Sequence, residues 1–120
     1  MNPYLDSQNN PSIKIKVLLS SWKSVHCLID TGFSGGLALP ENLLANFKQK
    51  PIAYQEYELA DGSLVNFSIY KTKIKYKQTQ KEINLFFTKS NEGLAGIEFL
   101  TGFKLTLDLK RSSITLEQSI

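Results

Sequence analysis

Asp30 closes the run Val25-His26-Cys27-Leu28-Ile29, in which four of the five residues are apolar. A carboxylate is costly at the end of an apolar strand unless it has catalytic work or a partner. Thr31 and Gly32 follow it. The hydroxyl of Thr31 can hydrogen-bond and fix the loop, and Gly32 permits a tight turn that presents the carboxylate at the edge of a core. A carboxyl group held in that way can act as general acid or base. Taken alone, Asp-Thr-Gly reads as a capped turn after a strand, and its surroundings decide.

The other reactive residues offer less. One cysteine, Cys27, excludes an internal disulfide and a cysteine metal cluster, and one histidine, His26, cannot build a His-rich metal site. No metal and no cofactor are expected. Cys27 lies in an apolar strand and reads as a buried, inert thiol. His26 would share a strand face with Leu28 and Asp30, and it reads first as an ordinary, partly exposed histidine. Glu41 and Glu98 fall at the start and on the surface of short helices, so they are not a catalytic carboxylate pair. Asp108 alternates with Leu105, Leu107 and Leu109 and is expected to face solvent.

Short apolar runs and turn signals alternate along the whole chain, which is the pattern of an all-β, mainly antiparallel fold. Ile13, Ile15, Val17 and Leu19 share one face of a strand, with Lys14 and Lys16 on the other. Ser20 to Ser24 is expected to form a connection around Trp22, and Val25 to Ile29 the strand that leads to Asp30. Phe33-Ser34-Gly35-Gly36 is rich in turn formers and leads into Leu37-Ala38-Leu39. The segment from Pro40 to Lys48 is the best helix candidate of the N-terminal half, with Leu43, Leu44 and Phe47 as its apolar face. Tyr54–Leu59 and Leu64–Tyr70 read as two strands of a hairpin across Ala60-Asp61-Gly62-Ser63, where Asp-Gly is a strong turn signal. Asp61 is a turn former before it is a substrate contact. Lys71, Lys73, Lys75 and Lys77 would share one strand face, a solvated surface or a lysine-guarded edge. Ile83–Thr88 is a further strand. Leu94-Ala95-Gly96 precedes a short helical turn, Ile97 to Leu100, and a final hairpin turns at Lys110 to Ser112.

With 120 residues there is room for one core, and the formal charge of +3 does not call for a nucleic-acid partner. No stretch approaches the roughly 20 apolar residues that cross a bilayer. Residues 1–12 are polar, carry Pro3 and Pro11, and lack the basic start and apolar core of a signal peptide. The expectation is a cytoplasmic protein with no membrane partner, a polar N-terminal segment over 1–12 and a single domain over 13–120.

This order of parts resembles the retropepsin-like (clan AA) aspartic peptidases, in particular the small single-lobed microbial members, from about Ile13 to Leu116. Leu28-Ile29-Asp30-Thr31-Gly32 resembles the family's active-site loop, and Phe33 to Pro40 is similar to its continuation in microbial relatives. Leu59-Ala60-Asp61-Gly62-Ser63 stands in the place of the flap, and Leu94-Ala95-Gly96-Ile97-Glu98-Phe99-Leu100 is similar to the stretch with the family's glycine and short helix. Three features depart from the viral pattern: Phe33 replaces an alanine, Gly35-Gly36 stands where viral members carry larger residues, and the flap tip is Asp61-Gly62 instead of a glycine-rich turn. The resemblance implies a closed acid-protease barrel of one lobe with one or two short helices. It further implies an aspartic endopeptidase whose catalytic loop is Asp30, Thr31 and Gly32. Phe33, Ser34, Ala60, Asp61, Gly62 and Ser63 would contact the substrate. One Asp-Thr-Gly per chain supplies one carboxylate of the two that such enzymes need, which implies a homodimer acting on a peptide or unfolded protein. Two other readings stand beside it: a non-catalytic dimeric module that binds peptide or protein on the same fold, and a nucleic-acid-associated barrel using Lys71 to Lys77.

Overall fold

The computed structural model of the protein describes residues 2–120. Strand β2 (Pro11–Leu18) buries Ile13, Ile15 and Val17 and exposes Lys14 and Lys16, as the alternation predicts. It turns at Leu19 to Ser21 into β3 (Trp22–Ile29), so Trp22 belongs to the strand and not to the connection. Its indole lies under the Lys75 ammonium, 4.2 Å from the ring centroid. A short β1 (Tyr4–Leu5) pairs with Pro11 and Ser12, and Pro3 is buried beside it.

After the Asp30 turn the chain runs through β4 (Leu37–Pro40) into a 3-10 helix over Glu41–Asn46. The helix anticipated over 40–48 is thus shorter and more tightly wound, with Pro40 as its cap. Phe47 donates its N–H to Leu44 O at 2.9 Å and buries its ring against Tyr70 and Phe87. Strand β5 (Ala53–Glu58) forms a hairpin with β6 (Leu64–Tyr76). β6 is a single strand of 13 residues, joining the two segments that sequence alone separates at Tyr70. β7 (Thr79–Thr88), β8 (Gly93–Ala95), helix α1 (Ile97–Leu100), β9 (Phe103–Asp108) and β10 (Ser113–Gln118) complete the chain.

Strands β2, β3, β8, β4, β7 and β6 are neighbours in that order, and β6 returns to β2 through Lys16–Lys75 and Val17–Ile74. The result is a closed six-stranded barrel, and the fold class read from the sequence holds. Most pairings are antiparallel; β3 with β8 and β4 with β7 run parallel. The barrel interior is filled by Ile13, Ile15, Val17, Cys27, Leu37, Leu39, Ile74, Leu85 and Phe99, all at most 1% exposed. β9 and β10 pair only with each other. Leu116 anchors that hairpin in the core, while Leu107 and Leu109 stand exposed.

Three strands are apolar on both faces. Leu37 and Leu39 of β4 and Leu85 of β7 point into the barrel, whereas Ala38 and Phe86 point outward and pack with Ile69 of β6. Phe33, Tyr57, Phe67 and Leu94 pack against that outer cluster. An outward apolar layer needs a cover or a ligand, and here the β5–β6 hairpin overhangs it.

Candidate active site

Asp30 follows β3 directly, and its loop is held by backbone bonds on two sides. Asp30 donates its N–H to Ala95 O at 2.9 Å, and Gly96, Ile97 and Glu98 donate theirs to Gly36, Phe33 and Gly35 at 2.8, 2.8 and 3.1 Å. The loop between β3 and β4 is therefore stitched to the junction of β8 and α1. That junction works only with glycine at 96. A Cβ there would lie 2.4 Å from Gly35 O and 2.5 Å from Phe33 O, closer than real contacts come. Apolar-apolar-Gly is the sequence trace of this close approach.

Within the loop, Asp30 Oδ1 accepts the Gly32 N–H at 2.9 Å and Phe33 donates its N–H to Asp30 O at 3.2 Å. The carboxylate is half-buried, and Thr31 and Gly32 are exposed. Asp30, Gly32, Phe33, Ser34 and Ala60 line one cavity of about 610 Å³ between the loop and the β5–β6 hairpin. Thr31, Asp61, Gly62 and Ser63 do not line it. The last three form the hairpin tip, where Asp61 Oδ1 accepts the Ser63 N–H at 2.9 Å and the Ser63 hydroxyl at 2.6 Å. Those bonds, the hydroxyl's first, hold the Asp61 carboxyl below its ordinary value. Gly62 has φ +85°, a backbone region that favours glycine.

The rest of the cavity wall is aromatic. Phe86 stacks on Tyr57 at 5.1 Å, meets Phe67 at 4.5 Å, and takes the edge of Phe33 at 5.5 Å. Phe33 thus fills space beneath the hairpin, and the lack of a side chain at Gly35 makes room for its ring, which a Cβ there would meet at 2.6 Å. Ala38, Tyr57, Phe67, Phe86 and Leu94 were not among the residues singled out from sequence. The signal was present in Leu37-Ala38-Leu39 and Leu85-Phe86-Phe87, unbroken apolar runs where a one-sided strand would alternate.

The remaining candidates stand apart from this cavity. His26 is exposed on the outer face of β3, its ring 5.8 Å from that of Tyr4. Cys27 is buried, and burial pushes its thiol up to about 12. Asp108 accepts from the Arg111 guanidinium at 2.8 Å and its N–H at 3.1 Å, which fixes the last hairpin turn. Glu98 is a correction to the surface reading. It is half-buried, and its Oε1 accepts the Asn84 N–H of β7 at 3.0 Å. Gly36 leaves room for that carboxylate, since a Cβ there would stand 2.5 Å from Oε1. Among the described residues there is no cluster of three or more His, Cys, Asp or Glu able to hold a metal, and no helix is long and apolar enough to cross a membrane.

Comparison with solved structures finds the same architecture. A retropepsin-like aspartic protease from Rickettsia conorii superposes with a TM-score of 0.69, covering 98% of this chain and 88% of its own at 13% identity. The chain has the retropepsin-like fold. EIAV protease in an inhibitor complex gives 0.58 over 79% of this chain and 88% of its own at 15% identity. Simian foamy virus protease gives 0.55 over 74% and 90% at 13%. No family model matches the sequence, and no curated protein matches it. At such identities the likeness carries the retropepsin-like fold alone.

Proposed function

We propose that the protein is an aspartic endopeptidase, active as a homodimer, that hydrolyses extended peptide segments. The observation that carries this reading is the Asp30 loop itself: a half-buried carboxylate at the floor of an aromatic cleft, held by four backbone bonds to β8 and α1 and overhung by a hairpin. The retropepsin-like fold supports it.

The chain contains one Asp-Thr-Gly, so the second carboxylate comes from a second subunit. A two-fold axis beside the loop brings the two Asp30 side chains together. Two carboxylates that close cannot both ionise. One keeps a proton and acts as acid, and the other takes the proton of the attacking water. The pair titrates as a unit. Thr31, exposed in the single subunit, hydrogen-bonds across the axis and fixes the two loops. Peptide enters as an added strand beneath the β5–β6 hairpin, its apolar side chains against Phe33, Tyr57 and Phe86. Closure of the hairpin tip, Ala60 to Ser63, excludes water. Leu107, Leu109 and Ile114 of the terminal hairpin supply apolar surface for the partner subunit.

The test is cleavage of a diverse mixture of unfolded peptides across about pH 4 to 7, comparing wild type with Asp30→Asn. Cutting that disappears in the variant supports the reading. A folded, dimeric wild type that binds peptides and cuts none makes it a peptide-binding module on the same fold.

A further inference from the structure

The Asp30 cavity does not end at Tyr57 and Phe86. These two rings, with Ser34, also wall a second cavity of about 420 Å³. Its chemistry is different. Gln55, Asn84 and Glu98 line it where the first cavity has aromatic carbon. Asn84 Oδ1 is buried and has no hydrogen-bond partner. The Tyr57 hydroxyl stands at its rim, 3.5 Å from the point where a Gly35 Cβ would be. Burial first, and the Glu98 charge second, push that hydroxyl's proton affinity up. The cavity thus sets the Glu98 carboxylate among amide and hydroxyl side chains.

Among the described residues no cation forms an ion pair with that carboxylate. The one ion pair among the described residues is Arg111 with Asp108, at the far hairpin turn. Lys81 feels the Glu98 charge, but its ammonium donates to the carbonyl oxygens of Glu98, Phe99 and Thr101 at 3.2, 2.7 and 3.0 Å. Its three protons are thereby used. A half-buried carboxylate on the wall of an open cavity is favourable for a cationic donor.

We propose that this second cavity is a subsite for a lysine or arginine side chain of the bound peptide, with Glu98 as the residue that selects it. The inference rests on the peptidase reading and narrows its substrates. They are extended segments that place an apolar residue over Phe86 and a basic residue at one fixed position nearby.

The test maps cut sites in a diverse peptide library by mass spectrometry, then compares matched peptides bearing lysine or norleucine at the enriched position. Wild type is expected to enrich lysine and arginine there and to favour the lysine peptide in kcat/KM by roughly tenfold or more. In Glu98→Gln, which keeps the acceptor for the Asn84 N–H, that preference is expected to fall to near unity, chiefly through KM. Cutting without basic enrichment overturns the subsite and leaves the peptidase reading intact. So does a preference that survives in Glu98→Gln. The wild-type comparison of lysine with norleucine decides the matter even if the variant does not fold. No cutting at all overturns the peptidase reading and the subsite with it.

Discussion

Asp30 is presented by a frame made of backbone: its own Oδ1 bonds the Gly32 N–H, and its amide bonds Ala95 O. Such a frame is indifferent to many side chains, which is why Phe33 can replace a small residue beside it, provided Gly35 and Gly96 leave room for the ring. Two residues outside the cavity have predictable chemistry. Burial raises the Cys27 thiol from its ordinary 9.0 to about 12, so the folded protein keeps that proton through alkaline pH. Folding therefore draws stability from the thiol below 9.0 and loses it as pH rises towards about 12. Iodoacetamide at mildly alkaline pH is expected to leave Cys27 unlabelled until denaturant is added; rapid labelling of native protein would contradict the burial. Asp61 has the opposite sign. Ser63 holds its carboxyl below 3.8, so the capped hairpin tip is favoured above that value and loses the contribution as pH falls through the lowered one. The Ser63 amide resonance is expected to titrate with a midpoint below 3.8, and a midpoint above it would show that the cap is not formed in solution.

The elements around the loop divide into those that hold it and those that cover it. Gly96→Ala drives a Cβ into the carbonyls of Gly35 and Phe33, and overpacking of that kind costs about 1–3 kcal/mol or more. It is expected to lower the urea midpoint and remove cleavage together. Gly62→Ala meets nothing within 4 Å at the hairpin tip and suffers only its positive φ, about 1–2 kcal/mol. Cleavage that survives in Gly96→Ala would contradict the stitched-loop account. Lys81 ties β7 to the C-terminal carbonyls of α1, and Lys81→Met is expected to cost about 1–3 kcal/mol in urea unfolding. Much of this was legible in the sequence. The alternation of Ile13, Ile15 and Val17, the Asp61-Gly62 turn, and Gly96 before a short helix each reflect a local rule that tertiary packing left in force. Three features were not. Trp22 reads as part of a connection because its strand begins one residue after a tight turn. The fusion of Leu64–Tyr70 with the lysine strand is hidden by a change of face: Ile69 points to the cleft cluster, whereas Thr72 and Ile74 point into the barrel. Glu98 carries no local sign that it folds inward, because the space it fills is opened by Gly36, distant in sequence.

The barrel is complete within one subunit, but the proposed chemistry is not. A single chain offers one Asp30, an exposed Thr31, and a terminal hairpin whose strands pair with each other and with no other described strand, with Leu107 and Leu109 in solvent. Pairing two copies across the Asp30 loops accounts for all three. Two consequences belong to the whole assembly. Specific activity is expected to fall on dilution as dimers dissociate, and Leu107→Asp combined with Leu109→Asp is expected to shift the molecule to monomer by sedimentation while the barrel stays folded. The most direct measurement is a subunit-mixing experiment, in which wild type and Asp30→Asn are refolded together at fixed total protein and assayed for peptide cleavage. If each active site takes one Asp30 from each subunit, activity follows the square of the wild-type fraction, falling to about a quarter at equal amounts. Activity that falls only in proportion to the wild-type fraction would mean that each subunit works alone, and the paired-carboxylate account would be wrong.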